Sequence, residues 1–240
     1  MCCRMLFACG DFPTSKLFDS FKLMALNRNE EHELNKNNCN FIHGDGWGIV
    51  LGKDGRFTEF SKNLVECWKD PRFPQYYDSE GDFVVIHARR RSPGSPLRLS
   101  YTQPFGCKGW CFCHNGTVYD YEIEDVSDSE QLFALLLSKL EKETDVVGAI
   151  TDALKEIKSY SSLNFILFNE KQVYILRKLG GTKRGKEYPK YYAMKYLEDE
   201  NYLIASSERL VHWGGDWKEL DNNTLLRVSI SDRKVEEIKI

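Results

Sequence analysis

The order of apolar and polar residues divides the chain into strand-like and helix-like segments. Short apolar runs between turn residues predict strands, and apolar residues at helical spacing predict helices. We predict strands at residues 4–9, 47–51, 57–60, 82–87, 110–114, 163–168, 173–176, 191–196, 202–205, 225–230 and 235–240. We predict helices over residues 17–25, 132–140 and 146–157. The polar stretch 27–40 and the glycine-rich stretch 180–186 are expected to be surface loops.

The order of these elements predicts the fold class. Strands dominate both halves of the chain, and two helices lie between them, with a capping box at Ser127-Asp128-Ser129-Glu130. Because strands and helices are grouped rather than strictly alternating, we expect an α+β fold of two stacked sheets with helices packed outside them. No repeat or linker interrupts the sequence, so we predict a single domain over residues 1–240.

The composition limits the binding partners and the cell compartment that we expect for this protein. The net charge of −3 gives no general attraction to nucleic acid or to an anionic membrane, so we expect neither as a partner. No apolar run reaches the ~18 residues that a membrane helix needs. Eight cysteines without an export signal are expected to be cytoplasmic thiols rather than disulfides.

The first candidate for chemistry is Cys2. If Met1 is removed, Cys2 carries both a thiol and a free α-amine. The α-amine has a reference pKa near ~7.7–8.0, so part of it is neutral at physiological pH and can accept the thiol proton. A nucleophile and its base then lie in one residue, although most lone cysteines are inert.

Asn115-Gly116 is a candidate for stabilising a negative charge. A strand that ends in Asn-Gly can aim the Asn amide and the Gly backbone N–H at one point, and two such donors form an oxyanion hole. The same dipeptide is also a very common tight turn, so both interpretations remain open from these residues alone.

Two charged residues are candidates for binding an amino acid. Arg89 follows a buried strand and has the fork geometry that grips a carboxylate, although three consecutive arginines also occur in basic surface patches. Asp128 begins a predicted helix and could bind an ammonium group, although the capping box explains it without a ligand. An amino acid held by both residues would be left with its side chain free to reach Cys2.

Several short motifs occur in a fixed order along the chain. They are Met1-Cys2, Gly46-Trp47-Gly48-Ile49, His87-Ala88-Arg89 with Ser92 and Gly94, Pro104-Phe105, Trp110 with His114-Asn115-Gly116, Asp128-Ser129-Glu130, and Ser206-Ser207-Glu208. In this order they resemble the class II glutamine amidotransferase domain of the N-terminal-nucleophile hydrolases. The resemblance spans nearly the whole chain and is strongest to stand-alone members, which lack a fused synthase domain.

The resemblance implies a four-layer αββα sandwich and hydrolysis of a glutamine side-chain amide, with no cofactor and no metal. It implies that Cys2 is the nucleophile and that Asn115 and Gly116 form the oxyanion hole. It also implies a substrate site made by Arg89 for the α-carboxylate and Asp128 for the α-ammonium, with Ser92, Trp47 and Gly48 nearby. The expected partners are glutamine or a γ-glutamyl compound, and a synthase subunit that accepts the ammonia.

Two departures from the family pattern affect the residues expected near the substrate and near the ammonia acceptor. Gln103 stands where many relatives have His before the Pro-Phe pair, and Arg90-Arg91 stand where many have an aromatic and a small residue. A γ-glutamyl peptide would fit the same site as glutamine, because only the leaving amine differs.

Other classes of protein explain fewer of the motifs. A zinc site at Cys107, Cys111, Cys113 and His114 is disfavoured, because neighbouring residues of a strand face opposite sides. A papain-like protease would place its cysteine at the start of a long helix. A non-catalytic binding protein that keeps the fold is the alternative from another class.

Overall fold

The computed structural model describes residues 2–36, 40–121 and 125–240, and for Cys2 it describes the backbone alone. Elements are numbered in chain order. The first sheet contains β1 (Cys2–Gly10), β2 (Trp47–Lys53), β3 (Arg56–Asn63), β4 (Phe83–Arg90), β9 (Lys195–Glu198), β10 (Tyr202–Ser206) and β11 (Lys218–Glu219). The second sheet contains β5 (Phe105–Cys107), β6 (Trp110–Val118), β7 (Tyr160–Phe168), β8 (Gln172–Arg177), β12 (Thr224–Ser229) and β13 (Val235–Lys239). The helices are α1 (Thr14–Ala25), α2 (Asp128–Leu140), α3 (Val146–Glu156) and α4 (Lys183–Glu187).

Both sheets are antiparallel. The strand order is β11-β9-β10-β1-β4-β2-β3 in the first sheet and β13-β12-β8-β7-β6-β5 in the second. β1 therefore lies in the interior of the first sheet, between β10 and β4. A strand in this position has neighbours on both edges, which fixes the direction of its side chains.

Three apolar layers separate the elements. One layer lies between the sheets and includes Met5, Phe7 and Val85. A second packs α1 against the outer face of the first sheet, and a third packs α2 and α3 against the outer face of the second sheet. The predicted α+β fold with four layers, helix–sheet–sheet–helix, is confirmed.

The helix starts follow from local hydrogen bonds. The Ser127 hydroxyl accepts a hydrogen bond of 3.1 Å from the Glu130 N–H, which caps α2 as the capping box predicts. The Asp145 carboxylate caps α3 by accepting from the Val147 N–H at 3.1 Å. Within the described residues, no helix combines the length and the apolar character that crossing a bilayer would require.

Three predicted segments are organised differently in the structure, and β5 and β11 were not predicted. β6 does not end at Asn115-Gly116 but continues to Val118, with an irregularity in its pairing after Gly116. The predicted strand at 191–196 begins only at Lys195, because Tyr192 and Ala193 make turn-type hydrogen bonds, and Tyr191 and Tyr192 pack in a small aromatic cluster with Phe41. The stretch 180–186, expected to be a surface loop, overlaps α4, whose Gly185 packs closely against the backbone oxygens of Gly180 and Ser161.

Candidate active site

The two sheets are joined by a hydrogen bond at the start of β1. The backbone N–H of Cys3 donates to the Asn115 side-chain oxygen at 2.9 Å. Cys3 and Asn115 are both fully buried. The other polar atom of the same amide, Asn115 Nδ2, has no hydrogen-bond partner among the described residues. A buried donor without a partner costs about 1–3 kcal/mol, so Nδ2 is suited to a ligand that supplies an acceptor.

Arg89 lies directly across the sheet from Cys3. Their Cα atoms are paired between β1 and β4. The Arg89 side chain is fully buried, and its Nη2 donates to Ser95 Oγ and the Pro96 carbonyl, each at 3.3 Å. Arg89 Nε and Nη1 find no partner in the part of the chain that the structure describes. Burial lowers the pKa of this guanidinium, which still carries its charge at neutral pH because an arginine titrates so high.

The histidine nearest to Arg89 on the same strand does not share its positive charge. His87, two residues earlier, is fully buried, and burial followed by the Arg89 charge lowers its pKa well below the ordinary value. His87 is therefore neutral at physiological pH. A buried guanidinium with two unpaired N–H donors is a suitable partner for a carboxylate.

A buried ion pair fixes the position of β1. Arg4 Nη2 lies 2.5 Å from Glu208 Oε1, and both side chains are almost fully buried. Arg4 Nη1 donates to the Tyr191 carbonyl at 3.0 Å, and the Arg4 guanidinium lies 4.1 Å from the centroid of the Tyr191 ring. Burial raises the pKa of Glu208, but Arg4 and hydrogen bonds from His32 and Asn29 outweigh this and lower it overall. Sliding β1 by one residue would break this set of contacts.

His114 supports the backbone around Asn115 and Gly116. Its Nδ1 lies 2.8 Å from Ser129 Oγ, and its Nε2 lies 3.1 Å from the Ser162 carbonyl. Because a carbonyl only accepts, Nε2 carries the hydrogen and Nδ1 accepts from the serine hydroxyl. Complete burial lowers the pKa of His114 to about 4, against the opposing effect of the nearby Asp128 carboxylate. The imidazole is therefore neutral and acts here as a structural link between β6, β7 and α2.

Gly116 is required by close packing. A Cβ atom at this position would lie 1.9 Å from the Ser162 carbonyl oxygen and 2.8 Å from His114 Nε2. Real Cβ contacts do not occur at these distances, so a side chain at this position would displace β6 from β7.

Asp128 is the first residue of α2 and lies beside β6. Its Oδ2 accepts from the Val118 N–H at 2.9 Å, which ties the start of the helix to the end of the strand. A carboxylate in the first turn of a helix is also stabilised by the helix dipole. The position combines a structural role with a negative charge close to His114.

The other three predicted substrate residues lie in different surroundings. The Trp47 indole is fully buried in the layer between the first sheet and α1, and its Nε1 donates to Asp70 at 3.0 Å. A Cβ at Gly48 would lie 2.3 Å from the Gln103 carbonyl, so this glycine allows two backbones to approach. Trp47 and Gly48 thus have packing roles, and their predicted place near the substrate stays a prediction. Ser92 lies in the loop after β4 and borders a cavity of about 410 Å³ that Arg90 and Arg91 also line.

The departures from the family pattern have local explanations. The Gln103 side chain accepts a hydrogen bond from the His114 N–H and thereby supports β6. The Arg90 guanidinium stacks 4.1 Å from the Phe41 ring centroid, and Arg91 pairs with Asp45 at 3.3 Å. Each of these side chains is held by its own neighbours.

Cavity size does not identify the site. A cavity of about 770 Å³ lies at the far end of β1, around Gly10 and Phe83, and borders none of the predicted site residues. The unpartnered buried donors of Asn115 and Arg89 point instead to the start of β1. Donor chemistry is the better guide, because an enclosed amino acid needs few but well-placed polar groups.

The cysteines follow the expected alternation along β6. Cys111 and Cys113 face the layer between the sheets, whereas the His114 ring stacks with Phe112 on the opposite face. Across the described residues, no group of three or more His, Cys, Asp or Glu side chains is arranged to hold a metal ion. None of the six cysteines whose side chains are described forms a disulfide.

Two features of the site were missed in the sequence. The predicted nucleophile is Cys2, whose side chain lies outside the described residues, whereas the described contact with Asn115 is made by Cys3. The support of His114 by Ser129 and Ser162 was also missed, although His114 and Ser129 both belong to the quoted motifs. The alternation of side chains along β1, which places Cys3 on the same face as Met5 and Phe7, is a signal in the sequence that points to Cys3.

Comparison with known proteins agrees with the geometry. A family model described as glutamine amidotransferases class-II matches residues 20–204. No curated protein sequence matches the chain significantly.

Three solved structures share the fold at low identity. A glutamine phosphoribosylpyrophosphate amidotransferase from B. subtilis has a TM-score of 0.66 and 15% identity over 98% of this chain and 49% of its own. A glutamine aminotransferase class-II domain protein from Silicibacter pomeroyi has a TM-score of 0.62 and 16% identity over 98% of both chains. A predicted glutamine amidotransferase from Pseudomonas aeruginosa has a TM-score of 0.54 and 13% identity over 98% and 95%.

This chain thus spans about half the length of the B. subtilis enzyme and nearly the full length of the other two. The family match covers most of the chain and agrees with the antiparallel sheets and the motif order. The chain belongs to the class II glutamine amidotransferases.

Proposed function

We propose that this protein hydrolyses the side-chain amide of glutamine through a thioester on a cysteine at the start of β1, and releases ammonia. The observation that carries the proposal is the pair of buried, unpartnered donor groups on Asn115 and Arg89. They lie on different sheets and are both adjacent to Cys3, one through a hydrogen bond and one through strand pairing. Family membership supports the same chemistry.

The reaction has two halves. The thiol gives its proton to the α-amine of its own residue, and the sulfur attacks the amide carbon of glutamine. The carbon–nitrogen bond breaks, the amine returns the proton to the leaving nitrogen, and ammonia departs. Water then attacks the γ-glutamyl thioester, which releases glutamate and restores the thiol. Every step balances with water as the only further reactant, so the proposal includes no cofactor.

Asn115 and Gly116 would stabilise the oxyanion that forms in both halves. Asn115 Nδ2 is available because the same amide uses its oxygen for the Cys3 nitrogen. A preorganised donor of this kind is worth about 2.7–4 kcal/mol in the transition state. The Gly116 N–H is the second proposed donor.

Arg89 and Asp128 would recognise the two charges of the amino acid. The Nε and Nη1 groups of Arg89 would donate to the α-carboxylate of glutamine. The Asp128 carboxylate would accept from the α-ammonium while it keeps its bond to the Val118 N–H. Ser92 is proposed to border the entrance on the acceptor side, where the loop after β4 passes.

The ammonia acceptor is proposed to lie outside residues 1–240. The solved B. subtilis relative is named for phosphoribosylpyrophosphate, and this chain spans about half of it. A synthase subunit is proposed to accept the ammonia, and release of free ammonia is the alternative. Since the nucleophile must stay reduced, we propose that the reaction takes place in the cytoplasm.

The direct test is ammonia release from purified protein with glutamine, compared with the amine released from γ-glutamyl dipeptides. We expect turnover of glutamine and loss of that turnover in Asn115→Ala. Dipeptide turnover that exceeds glutamine turnover would assign the protein as a γ-glutamyl peptide hydrolase with the same residues. Binding of glutamine without any turnover, by protein whose nucleophilic cysteine has a free α-amine, would support the non-catalytic alternative and refute the proposal.

A further inference from the structure

We propose that the nucleophile is Cys3, and that the residues before it must be removed to expose its amine. The inference rests on the proposed function and deepens it, because it names the residue that performs the chemistry. It departs from the simplest interpretation of the sequence, in which the cysteine directly after Met1 carries the reaction.

The first observation is the position of the nitrogen. The mechanism needs the α-amine of the nucleophile beside the oxyanion hole. The Cys3 nitrogen lies 2.9 Å from Asn115 Oδ1 and donates to it. A free amine at this nitrogen keeps an N–H for the same bond and gains a lone pair that can accept the thiol proton. The bond also orients the amide, so that Nδ2 is the end left for substrate.

The second observation is the direction of the Cys3 side chain. Side chains alternate between the faces of a strand, so Cys3 shares a face with Met5 and Phe7. Met5 and Phe7 lie in the layer between the two sheets. The Cys3 thiol is fully buried on that same face, towards the sheet that contains Asn115.

The third observation is the strand pairing. Cys3 is opposite Arg89, and Cys2 is opposite Arg90. Arg89 is the arginine with two unpartnered donors, whereas Arg90 stacks on Phe41 and donates to the Ile42 carbonyl at 3.1 Å. The arginine that is available to bind a carboxylate is therefore the one next to Cys3.

The fourth observation is that this register cannot slip. Arg4, the next residue, is held by Glu208 and by the Tyr191 carbonyl in a fully buried site. A shift of one residue would move β1 by about 3.3 Å and turn each side chain to the other face. Placing Cys2 at the Cys3 position would therefore break the Arg4 ion pair.

The chemistry of maturation is a peptide-bond hydrolysis. Water adds its hydroxyl to the Cys2 carbonyl carbon and its hydrogen to the Cys3 nitrogen, and the bond between them breaks. Before this step the nitrogen belongs to an amide, which has no basic lone pair for the thiol proton. The unprocessed chain would therefore fold with its site formed but inactive.

The decisive experiment compares the chain that begins Met1-Cys2-Cys3 with a variant that begins Met-Cys3-Arg4, made by deleting Cys2. Both proteins are reacted with a diazoketone analogue of glutamine, and intact mass, N-terminal sequencing and peptide mapping locate the label. Ammonia release is measured on the same samples. Cys3→Ala in the undeleted chain is the matched control.

We expect the deletion variant to release ammonia at least as fast as the undeleted chain, because removal of Met alone exposes Cys3. We also expect the label on a Cys3 that has a free amine, and more than 100-fold lower turnover in Cys3→Ala. A label on Cys2 at the amino terminus of active undeleted protein, with an inactive deletion variant, would overturn the inference while the proposed function survived. If all chains are inert although Cys3 is the free amino terminus and the fold is intact, both proposals fail together.

Discussion

Arg89 and Arg4 allow a sharp test, because they are two fully buried arginines with opposite environments. Arg4 has a carboxylate at 2.5 Å, whereas Arg89 has two nitrogen donors without a partner among the described residues. Replacing each by Met removes the charge and keeps a side chain of similar length. We expect Arg89→Met to lose activity without losing stability, and Arg4→Met to lose stability.

The magnitudes follow from the contacts. Two hydrogen bonds from a charged donor contribute about 1.5–3 kcal/mol each, so Arg89→Met should lower kcat/KM by about 10²–10⁴-fold. Its free energy of unfolding should change by less than about 1 kcal/mol or rise, since an unpaired buried charge is removed. Arg4→Met leaves the Glu208 carboxylate buried and unpaired, which should cost about 3–5 kcal/mol.

The assays are steady-state ammonia release with glutamine and urea unfolding followed by fluorescence, both without other ligands. Added glutamine should raise the unfolding midpoint of the wild type and leave that of Arg89→Met unchanged, because the variant cannot hold the carboxylate. A loss of 3 kcal/mol or more in Arg89→Met, on the scale expected for breaking a buried ion pair, together with an unchanged KM, would refute the reasoning. Arg89 would then be a structural residue.

Three further predictions concern β6. Asn115→Ala should lower kcat by about 10²–10³-fold, whereas Asn115→Asp retains the acceptor for the Cys3 nitrogen and should keep the fold but not the rate. Gly116→Ala should destabilise the protein by more than about 2 kcal/mol in urea unfolding, because its Cβ would lie 1.9 Å from a backbone oxygen of β7. Acidification should destabilise the protein through His114, whose pKa is about 4 when folded and 6.5 in the reference state. The unfolded chain binds a proton below about 6.5 and the folded chain does not, so stability falls between about pH 6.5 and 4, by about 3 kcal/mol in total.

Each of these predictions has a control. Normal kcat in Asn115→Ala would exclude its amide from the oxyanion hole. Gly181→Ala should be neutral, since a Cβ there meets nothing within 4 Å, and equal losses at Gly116 and Gly181 would contradict the packing argument. His114→Gln should reduce the loss of stability between pH 7 and pH 5, whereas substitution of the exposed His212 should not. An unchanged slope in His114→Gln would show that other groups cause the acid sensitivity.

The fold could be predicted where the apolar period was strong. β1, α1 and α2 were found because their apolar residues repeat at spacings of two or about 3.6. Residues 191–194 were misassigned as strand, because four apolar or aromatic residues in a row do not distinguish a strand from a buried turn. Asn115-Gly116 was expected to end a strand, but pairing with β7 carries β6 past it.

The sequence could indicate single candidate residues of the site, but not the contacts between them. Arg89 was predicted as a candidate because it was placed after a buried strand; it lies within β4, fully buried opposite β1, and its role in binding stays a prediction. The relation between Cys3 and Asn115 depends on a contact between residues 112 positions apart, which no local pattern encodes. Trp47 was chosen for its motif, yet its hydrogen bond to Asp70 lies on the other face of the sheet.

The division of the site between the two sheets has a consequence for how the molecule acquires reactivity. Cys3, the proposed nucleophile, belongs to one sheet, and the Asn115 amide that accepts from its N–H belongs to the other. A chain in which only one sheet has formed would have either Cys3 or Asn115 in place, but not both. Neither residue alone would be expected to cleave an amide. Catalytic activity would therefore appear when the two sheets pack together. Measuring ammonia release during refolding would give the time at which the sheets pack.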